Sequence, residues 1–320
     1  MLEKVKYRSV IEKIATAISE GKNITNFDLL EICRQKGIGE SVSKGKIHLT
    51  HELLEVAVNH YISKLYCQKT FSKDYEISRI LVELEKIEKQ IPVKSWRSTE
   101  QQGFQQFSTP PTIAFLMASL LNPSAADLIL EPSAGTGSLV VWLKLFGCKL
   151  QLNEISDVRR TLLELQGFQP TAYNAEFLDD LMPSEIAPDG VLMNPPFSSS
   201  GGRTKTGDSR FGFRHIRSAL SRLKIGGKLV CLLGTQGGFK TGKSQKFWSE
   251  IAEENELKAF IHLPQNAFYK YGTTIATTII YLTKGKPTKG ASWSERRCNI
   301  LEVNCARLED CLEHINIFGS

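Results

Sequence analysis

The protein has 320 residues, of which 41% are apolar and 23% are charged, and its formal net charge is +6. These values are ordinary for a globular protein, and the length predicts about two domains. No apolar run approaches the roughly 20 residues that span a bilayer, and the first six residues lack the apolar core of a signal peptide. Seven cysteines, an odd number without a Cys-x-x-Cys pair, are typical of reduced thiols in a cytoplasmic protein. We therefore expect neither a membrane protein nor a disulfide-stabilised secreted one.

The positive charge is concentrated in one stretch. Between Ser198 and Lys246 there are eleven Lys or Arg residues and one acid, Asp208, which gives this stretch a charge of +10 and leaves −4 for the rest of the chain. A basic block inside a folded domain favours a polyanionic partner, because each neutralised phosphate releases counterions. A merely solvated surface is the alternative. The position of the block, directly after an Asn-Pro-Pro-Phe sequence, favours the first interpretation.

Residues 1–97 have a helical pattern, in which apolar side chains recur at helical spacing, as at Ile80, Leu84, Ile87 and Ile91. No chemical motif stands out, so we interpret residues 1–97 as a helical accessory domain of unspecified role. We expect the main domain to cover residues 98–286 and a short C-terminal cap to cover residues 287–320.

From about residue 126, short apolar runs alternate with helical patterns. The candidates for buried strands are residues 128–130, 150–152, 190–193, 229–233, 260–263 and 274–282. This alternation predicts an α/β fold, with a Rossmann-like, doubly wound and mostly parallel sheet, preceded by the helical N-terminal region. Only about ten residues separate the last two runs, too few for a helical crossover, so we expect a late antiparallel strand.

A glycine-containing turn follows the first of these strands and opens a helical pattern. It reads Glu131-Pro132-Ser133-Ala134-Gly135-Thr136-Gly137. Glycines in this setting let the backbone approach a ligand closely, with N–H groups facing it. About twenty residues later, Glu154 ends the next strand and is placed to accept hydrogen bonds from both hydroxyls of a ribose. Together the two features indicate a nucleotide-type cofactor, although each alone would suit a structural role.

The most specific sequence feature is Asn194-Pro195-Pro196-Phe197, which follows the strand at residues 190–193. Consecutive prolines lack N–H donors and hold the backbone extended, so a carbonyl and the Asn194 side-chain oxygen can face one point. When two acceptors bind the hydrogens of an aromatic amine, they draw its nitrogen toward sp³ geometry. The nitrogen lone pair is then exposed and can attack an electrophile. Phe197 can stack on a base, a contact of roughly 1–3 kcal/mol. A proline-rich turn that only closes the strand is the alternative.

These motifs and their order resemble those of N6-adenine-specific DNA methyltransferases whose cofactor clamp precedes the glycine turn. The resemblance covers residues 100–285, and Gln105-Gln106-Phe107-Ser108-Thr109-Pro110-Pro111 resembles the clamp. Ala175-Glu176-Phe177 stands where the family usually has Gly-Asp-Phe, so a glutamate replaces the acid that contacts the adenine of the cofactor.

Two subgroups of that family share further features with the chain. Leu263-Pro264-Gln265-Asn266-Ala267-Phe268, followed by Tyr271-Gly272-Thr273, resembles the late hairpin of type I modification subunits. The clamp, the glycine turn and Asn153-Glu154 also resemble methylases encoded beside strawberry-notch-type helicases on phages and plasmids.

The resemblance implies S-adenosylmethionine as the cofactor and N6 of adenine in DNA as the methyl acceptor. The implied catalytic residues are Asn194, Pro195, Pro196 and Phe197. The implied cofactor-binding residues are Phe107, Thr109, Pro110, Glu131, Pro132, Ser133, Gly135, Gly137, Glu154, Glu176 and Phe177. No metal is expected, because Cys298, Cys305, Cys311 and His314 match no familiar zinc spacing.

The basic stretch supplies the expected contacts to DNA. They are Arg203, Lys205, Arg210, Arg214, Lys240 and Lys243, which would position phosphates without reading sequence. Many relatives carry a separate target-recognition domain after the hairpin, whereas only about 35 residues follow Lys286 here. Sequence readout on double- or single-stranded DNA would therefore come from the basic stretch, from the N-terminal helices, or from a specificity or helicase-like partner chain.

Other functions remain open on the sequence alone. Residues 237–244 match the P-loop pattern of ATPases, although no convincing strand ending in Asp follows to hold magnesium. Asn-Pro-Pro-Phe also resembles enzymes that methylate guanine N2 in RNA, and cytosine N4 is a chemically similar target. The remaining alternative is a non-catalytic, DNA-binding methylase-like subunit of a restriction or defence system.

Overall fold

The computed structural model of the protein describes residues 2–38, 44–67, 77–94, 107–196, 211–234 and 242–319. The N-terminal region is helical, with α1 (Leu2–Ser19), α2 (Asn26–Arg34), α3 (Lys44–Tyr66) and α4 (Ile77–Gln90). Thr25 caps α2 by accepting from the Asp28 amide, and the Asp28 carboxylate accepts from the Thr25 amide in return. α4 buries Ile80, Leu81, Leu84 and Ile87 on one face, as its apolar spacing predicts.

In the part of the chain that the structure describes, the remaining helices surround a seven-stranded sheet. They are α5 (Pro111–Leu121), α6 (Ser138–Leu145), α7 (Asp157–Leu165), α8 (Leu178–Leu181), α9 (Phe211–Arg222), α10 (Gly242–Glu254), α11 (Trp293–Cys298) and α12 (Asp310–Gly319). α5 is buried on every side, which agrees with a sequence that is apolar all round. None of the helices in the described ranges is long and apolar enough to cross a membrane.

The strands are β1 (Leu128–Glu131), β2 (Lys149–Leu152), β3 (Gly190–Met193), β4 (Lys228–Gly234), β5 (Asn255–His262), β6 (Thr277–Lys284) and β7 (Leu301–Asn304). Their order in the sheet is β2-β1-β3-β4-β6-β5-β7. β6 runs antiparallel to both β4 and β5, and every other pair is parallel. The predicted mostly parallel sheet with a late antiparallel strand is confirmed.

β7 is a strand that the sequence pattern does not predict. It pairs in parallel with β5 at the edge of the sheet, and its side chains are only partly buried or exposed. A half-exposed edge strand lacks the continuous apolar run that marks a buried parallel strand. Residues 287–320, interpreted as a short cap, therefore also extend the sheet.

The N-terminal helices share a core with the sheet. One cluster of buried apolar side chains runs from Val10 in α1, through α3, α5 and the strands, to Ile315 in α12. A second cluster covers the opposite face of the sheet and includes Phe213 of α9 and Trp248 of α10. Helices thus pack on both faces, as in other doubly wound folds.

The loop before β6 also holds the end of α4. The Lys270 ammonium donates to the Glu88 carbonyl and, at 3.0 Å, to the Ile91 carbonyl, while the Lys94 amide donates to the Lys270 carbonyl at 2.9 Å. A cation at the carbonyl end of a helix is favourable because it offsets the partial negative charge there. The late loop therefore fastens the helical region to the α/β region.

Candidate active site

A cleft of about 500 Å³, partly open to solvent, lies where β1, β2 and β3 end. Ligands bind at the carboxyl ends of strands in open α/β sheets, so this is the expected position for a site. The cleft is lined by Phe107, Ser108, Thr109, Ser133, Ala134, Gly135, Thr136, Ser138, Leu139, Glu154, Arg159, Asn194 and Pro196. The clamp, the glycine turn, the strand-end acid and the Asn-Pro-Pro-Phe sequence are thus brought together.

The glycine turn depends on backbone angles that favour glycine. Gly135 has φ +57°, and Gly137, the residue before α6, has φ +95°. A Cβ atom on Gly137 would also lie 3.2 Å from Cδ2 of Leu163. The turn can therefore present its backbone to the cleft only because these positions have no side chain.

Glu154 fixes this turn while facing the cleft. One of its carboxylate oxygens accepts from the Gly135 amide at 2.7 Å, and the other accepts from the Ser156 amide at 2.8 Å. The side chain is 3% exposed. A carboxylate offers about four acceptor positions, so two backbone donors leave capacity for the hydroxyls of a ribose.

Glu131 lies beneath the turn rather than among the residues that line the cleft. It is fully buried, and one carboxyl oxygen accepts from the Ser133 amide at 3.0 Å. Burial raises the pKa of Glu131 well above its ordinary value, because loss of solvent disfavours the carboxylate. Its visible contact is with the turn, and direct contact with a cofactor stays a prediction for Glu131.

Asn194 has its amide orientation fixed by the clamp. Nδ2 lies 2.9 Å from the Phe107 carbonyl oxygen and 2.9 Å from Oγ1 of Thr109. A carbonyl only accepts hydrogen bonds, so the nitrogen must face Phe107. Both amide protons are then used, and Oδ1 is left as an acceptor for a ligand. Pro195 and Pro196 are buried, and Pro196 lines the cleft, whereas Phe197 lies outside the described residues.

The clamp leads directly into α5. Thr109 is 4% exposed, Pro110 is the residue before the helix, and Pro111 is its first residue. Proline suits the first turn of a helix because no N–H bond is lost there. The buried α5 therefore anchors one end of the clamp. Gln105 and Gln106 lie outside the described residues.

Glu176 and Phe177 form a single 3₁₀ turn that does not belong to the cleft lining given above. Asn174 begins this turn by accepting from the Glu176 amide, and the Arg214 guanidinium lies 5.1 Å above the Phe177 ring. Nη2 of Arg214 also lies 3.5 Å from a carboxylate oxygen of Asp179. The predicted roles of Glu176 and Phe177 in cofactor binding, and of Arg214 in phosphate contact, stay predictions.

Most of the predicted DNA contacts lie in ranges that the structure does not describe. These are Arg203, Lys205, Arg210 and Lys240, together with the side chain of Lys243. The P-loop match falls there too, except for its last three residues, which begin α10. Within the described ranges, no group of three or more His, Cys, Asp and Glu side chains is arranged to hold a metal ion.

Within the described ranges, three side chains of the N-terminal region contact residues that line the cleft, and the sequence pattern did not predict them. Glu52 accepts from Nε of Arg159 at 2.8 Å, Glu55 accepts from Ser108 and Thr136, and Asn59 donates to the Thr136 carbonyl at 2.9 Å. They are spaced i, i+3 and i+7 and so share one face of α3. Two acids and an amide at helical spacing, set among the apolar residues 53, 54 and 56–58, were the available signal.

Glu52 and Arg159 stay ionised although both side chains are buried, because each compensates the charge of the other. Burial alone would raise the pKa of Glu52, but the Arg159 guanidinium and the His48 imidazole outweigh it and lower the pKa to about 2. Arg159, which is 8% exposed and lines the cleft, is in turn held cationic by the acids around it. Glu52 of helix α3 therefore compensates the buried charge of Arg159 at one wall of the cleft.

Comparison with known proteins gives one family match and several similar chains. Residues 164–307 match the family model described as N-6 DNA Methylase. The methylase subunit of the type I restriction enzyme MjaVII from Methanocaldococcus jannaschii is 23% identical over 339 residues, covering 95% of this chain and 54% of that subunit. The EcoKI methylase subunit from Escherichia coli is 23% identical over 224 residues, covering 58% of this chain and 41% of that subunit. The chain thus spans about half the length of the curated relatives it matches.

Two solved structures share the fold. One is described as a modification subunit of a type I restriction enzyme from Vibrio vulnificus YJ016, with a TM-score of 0.51, 15% identity, and 90% of this chain and 61% of that chain covered. The other is described as a class I S-adenosylmethionine-dependent methyltransferase from Listeria monocytogenes, with a TM-score of 0.50, 18% identity, and 99% of both chains covered. These two structures show the fold, and the likeness to the N-6 DNA Methylase model is a similarity over residues 164–307, less than half of the chain.

Proposed function

We propose that the protein transfers a methyl group from S-adenosylmethionine to the N6 amino group of adenine in DNA. The observation that carries the proposal is the fixed carboxamide of Asn194. Its nitrogen is committed to Phe107 and Thr109, so its oxygen is the atom available to a ligand amine.

The described residues fit the cofactor. The glycine turn presents backbone without side chains, and Glu154 keeps acceptor capacity for ribose hydroxyls beside it. Thr109 and Asn194 lie in the same cleft, next to where a methyl group would be transferred. When bound, the sulfonium of S-adenosylmethionine supplies an electrophilic methyl group.

The protein activates the amine by accepting its hydrogen bonds. Oδ1 of Asn194 accepts one N–H of adenine, and the Pro195 carbonyl accepts the other in our proposal. These two acceptors would free the nitrogen lone pair, otherwise delocalised into the ring, to displace the sulfonium sulfur from the methyl group of a bound cofactor. The sulfur would leave as a neutral thioether, and the surplus N–H proton would pass to water. Holding the two reactants in line supplies much of the acceleration.

Several features support DNA as the substrate. The family model that matches is one of DNA methylases, and the relatives reported above are methylase subunits of restriction enzymes. The +10 charge of residues 198–246 follows directly after the adenine pocket in the chain. A specificity or helicase-like partner chain is part of the proposal, because target selection requires contacts that phosphate binding does not supply.

The test is methyl transfer from radiolabelled S-adenosylmethionine to double-stranded DNA, single-stranded DNA and RNA, followed by digestion to nucleosides. N6-methyladenine from DNA is expected with the wild type. It should be absent with Asn194→Ala and present with Asn23→Ala, an exposed asparagine in the α1–α2 turn. Label on cytosine N4 or on guanine of RNA would contradict the proposed acceptor, and failure to bind the cofactor would contradict the proposal as a whole.

A further inference from the structure

Helix α3 contacts three residues that line the cleft, although it belongs to the N-terminal helical region. Glu52 binds Arg159, Asn59 binds the Thr136 carbonyl, and Glu55 binds both Ser108 and Thr136. All three α3 side chains are at most 8% exposed. This face of the helix is therefore built into the wall of the cleft.

Glu55 makes the most extensive of these contacts. One carboxylate oxygen lies 2.7 Å from the Ser108 hydroxyl and 3.0 Å from the Thr136 hydroxyl, and the other lies 3.0 Å from the Lys94 ammonium. Burial alone would raise the pKa of Glu55, but Lys94 and Ser108 outweigh it and lower the pKa. An ionised carboxylate is thus available to join the clamp, the glycine turn and the end of the helical region.

Ser108 carries this contact to the catalytic amide. Its two neighbours in the chain, Phe107 and Thr109, supply the oxygens that receive both amide protons of Asn194. A shift of Ser108 therefore moves both acceptors together. The amide of Asn194 would then be free to rotate, and its oxygen would no longer be held toward the ligand.

We propose that Glu55 is a positioning residue, which fixes Ser108 and thereby orients the Asn194 carboxamide for methyl transfer. The inference rests on the proposed function and deepens it, because it makes the N-terminal helical region part of the catalytic domain. Glu55 does not touch the reacting atoms. Its effect passes through the clamp and appears in the rate of transfer.

The experiment compares Glu55→Gln, Ser108→Ala and the double variant. Glutamine has the size of glutamate, but only one of its two terminal atoms accepts hydrogen bonds. It therefore cannot accept from the two hydroxyls and from the Lys94 ammonium at the same time. We expect kcat at saturating cofactor to fall roughly 10- to 100-fold, since a misplacement of about 1 Å can cost on the order of 10²-fold. The double variant should lose no more than the larger single loss, because both changes break the same contact. Glu31→Gln, on the exposed surface of α2, is the matched control and should keep wild-type kcat.

Thr136→Val tests the second contact of Glu55, which is with the glycine turn. It removes the hydroxyl that joins Glu55 to the glycine turn, so it should weaken cofactor binding in calorimetry more than it lowers kcat. Ser108→Ala, the mildest change, keeps the test usable if Glu55→Gln does not fold. Hydrogen exchange at residues 107–109 should rise in Glu55→Gln and not in Glu31→Gln.

Wild-type kcat in Glu55→Gln, or losses that multiply in the double variant, would overturn the inference. A wild-type protein that fails to bind the cofactor, or that methylates a base other than adenine, would instead overturn the proposed function. The two failures are therefore distinguishable in one set of assays.

Discussion

Nε of Arg159 lies 2.8 Å from a carboxylate oxygen of Glu52, which joins a wall of the cleft to helix α3. Both side chains are almost fully buried. Removing one partner of such a pair is costly, because the other charge stays buried without compensation. Glu52→Gln should therefore lower the free energy of unfolding by about 3–5 kcal/mol in urea titrations. Glu164→Gln, which removes an exposed ion pair with Lys4, should change it by less than about 1 kcal/mol.

The same pair predicts a pH dependence. The pKa of Glu52 is about 2 in the folded protein against an ordinary 4.5. The folded pKa is depressed, so the stabilisation is present above pH 4.5 and is lost as the pH falls toward 2. This corresponds to roughly 3 kcal/mol at neutral pH. The stability gap between wild type and Glu52→Gln should shrink between pH 4.5 and 2, and a gap that is constant with pH would contradict the assignment.

Thr109 should matter for turnover through its hydroxyl. Thr109→Val keeps the shape but leaves one amide proton of Asn194 without its acceptor, at a cost of about 1–3 kcal/mol. We expect kcat to fall roughly 10- to 100-fold, since 1.4 kcal/mol is about a factor of ten. Thr109→Ser retains the acceptor and is the control, with a kcat within about threefold of the wild type. Equal losses in the two variants would show that the methyl group, and not the hydroxyl, is what matters.

Glu154 should govern cofactor affinity. In Glu154→Gln, an NH₂ group must face either the Gly135 amide or the Ser156 amide, so a donor meets a donor. Hydrogen bonds to charged groups contribute about 1.5–3 kcal/mol, so the Kd for S-adenosylmethionine should rise roughly 10- to 100-fold in calorimetry. Glu164→Gln, on the exposed side of α7, should bind normally. Unchanged affinity in Glu154→Gln would remove this residue from the cofactor site.

Much of the fold can be predicted from local sequence patterns. The strand candidates, the helical spacing of α4 and the antiparallel β6 depend on patterns within a few residues of one another. β7 is not readable in this way, because an edge strand with partly exposed side chains has no continuous apolar run.

The motifs of the candidate site can be predicted from the sequence, whereas the side chains that hold those motifs in place cannot. Each motif follows a strand end, and parallel strands bring those ends to one edge of the sheet. The contacts of Glu55 with Ser108 and Thr136, in contrast, span 53 and 81 residues. No periodicity or spacing encodes contacts of that range. Glu131 differs in another way, since the motif does not distinguish a side chain facing the cleft from one buried beneath the turn.

Glu88 predicts a second pH effect of opposite sign. Its carboxyl oxygen accepts from the Thr112 amide at 3.1 Å and the Thr112 hydroxyl at 2.8 Å, at the start of α5. Burial raises the pKa of Glu88 to about 7 from 4.5. The folded protein therefore keeps a proton that the unfolded chain loses, and stability falls as the pH rises from about 4.5 to 7.

Glu88→Gln imitates the neutral acid and keeps the acceptor. It should match the wild type in thermal unfolding at pH 4.5. At pH 8 it should be more stable by at least about 1 kcal/mol, since one pKa unit corresponds to about 1.4 kcal/mol. A variant that is less stable at pH 8 would mean that the carboxylate itself is required.

The apolar cluster that runs from Val10 to Ile315 has a consequence for how the molecule unfolds. The first 97 residues and the sheet bury their apolar side chains against each other. Cutting the chain between them would therefore expose apolar surface to solvent on both fragments. The helical region and the α/β region should therefore melt in one cooperative transition, at the same midpoint by every probe. Ligand bound in the cleft would then raise the melting temperature of the distant α1 as much as that of the strands beside it.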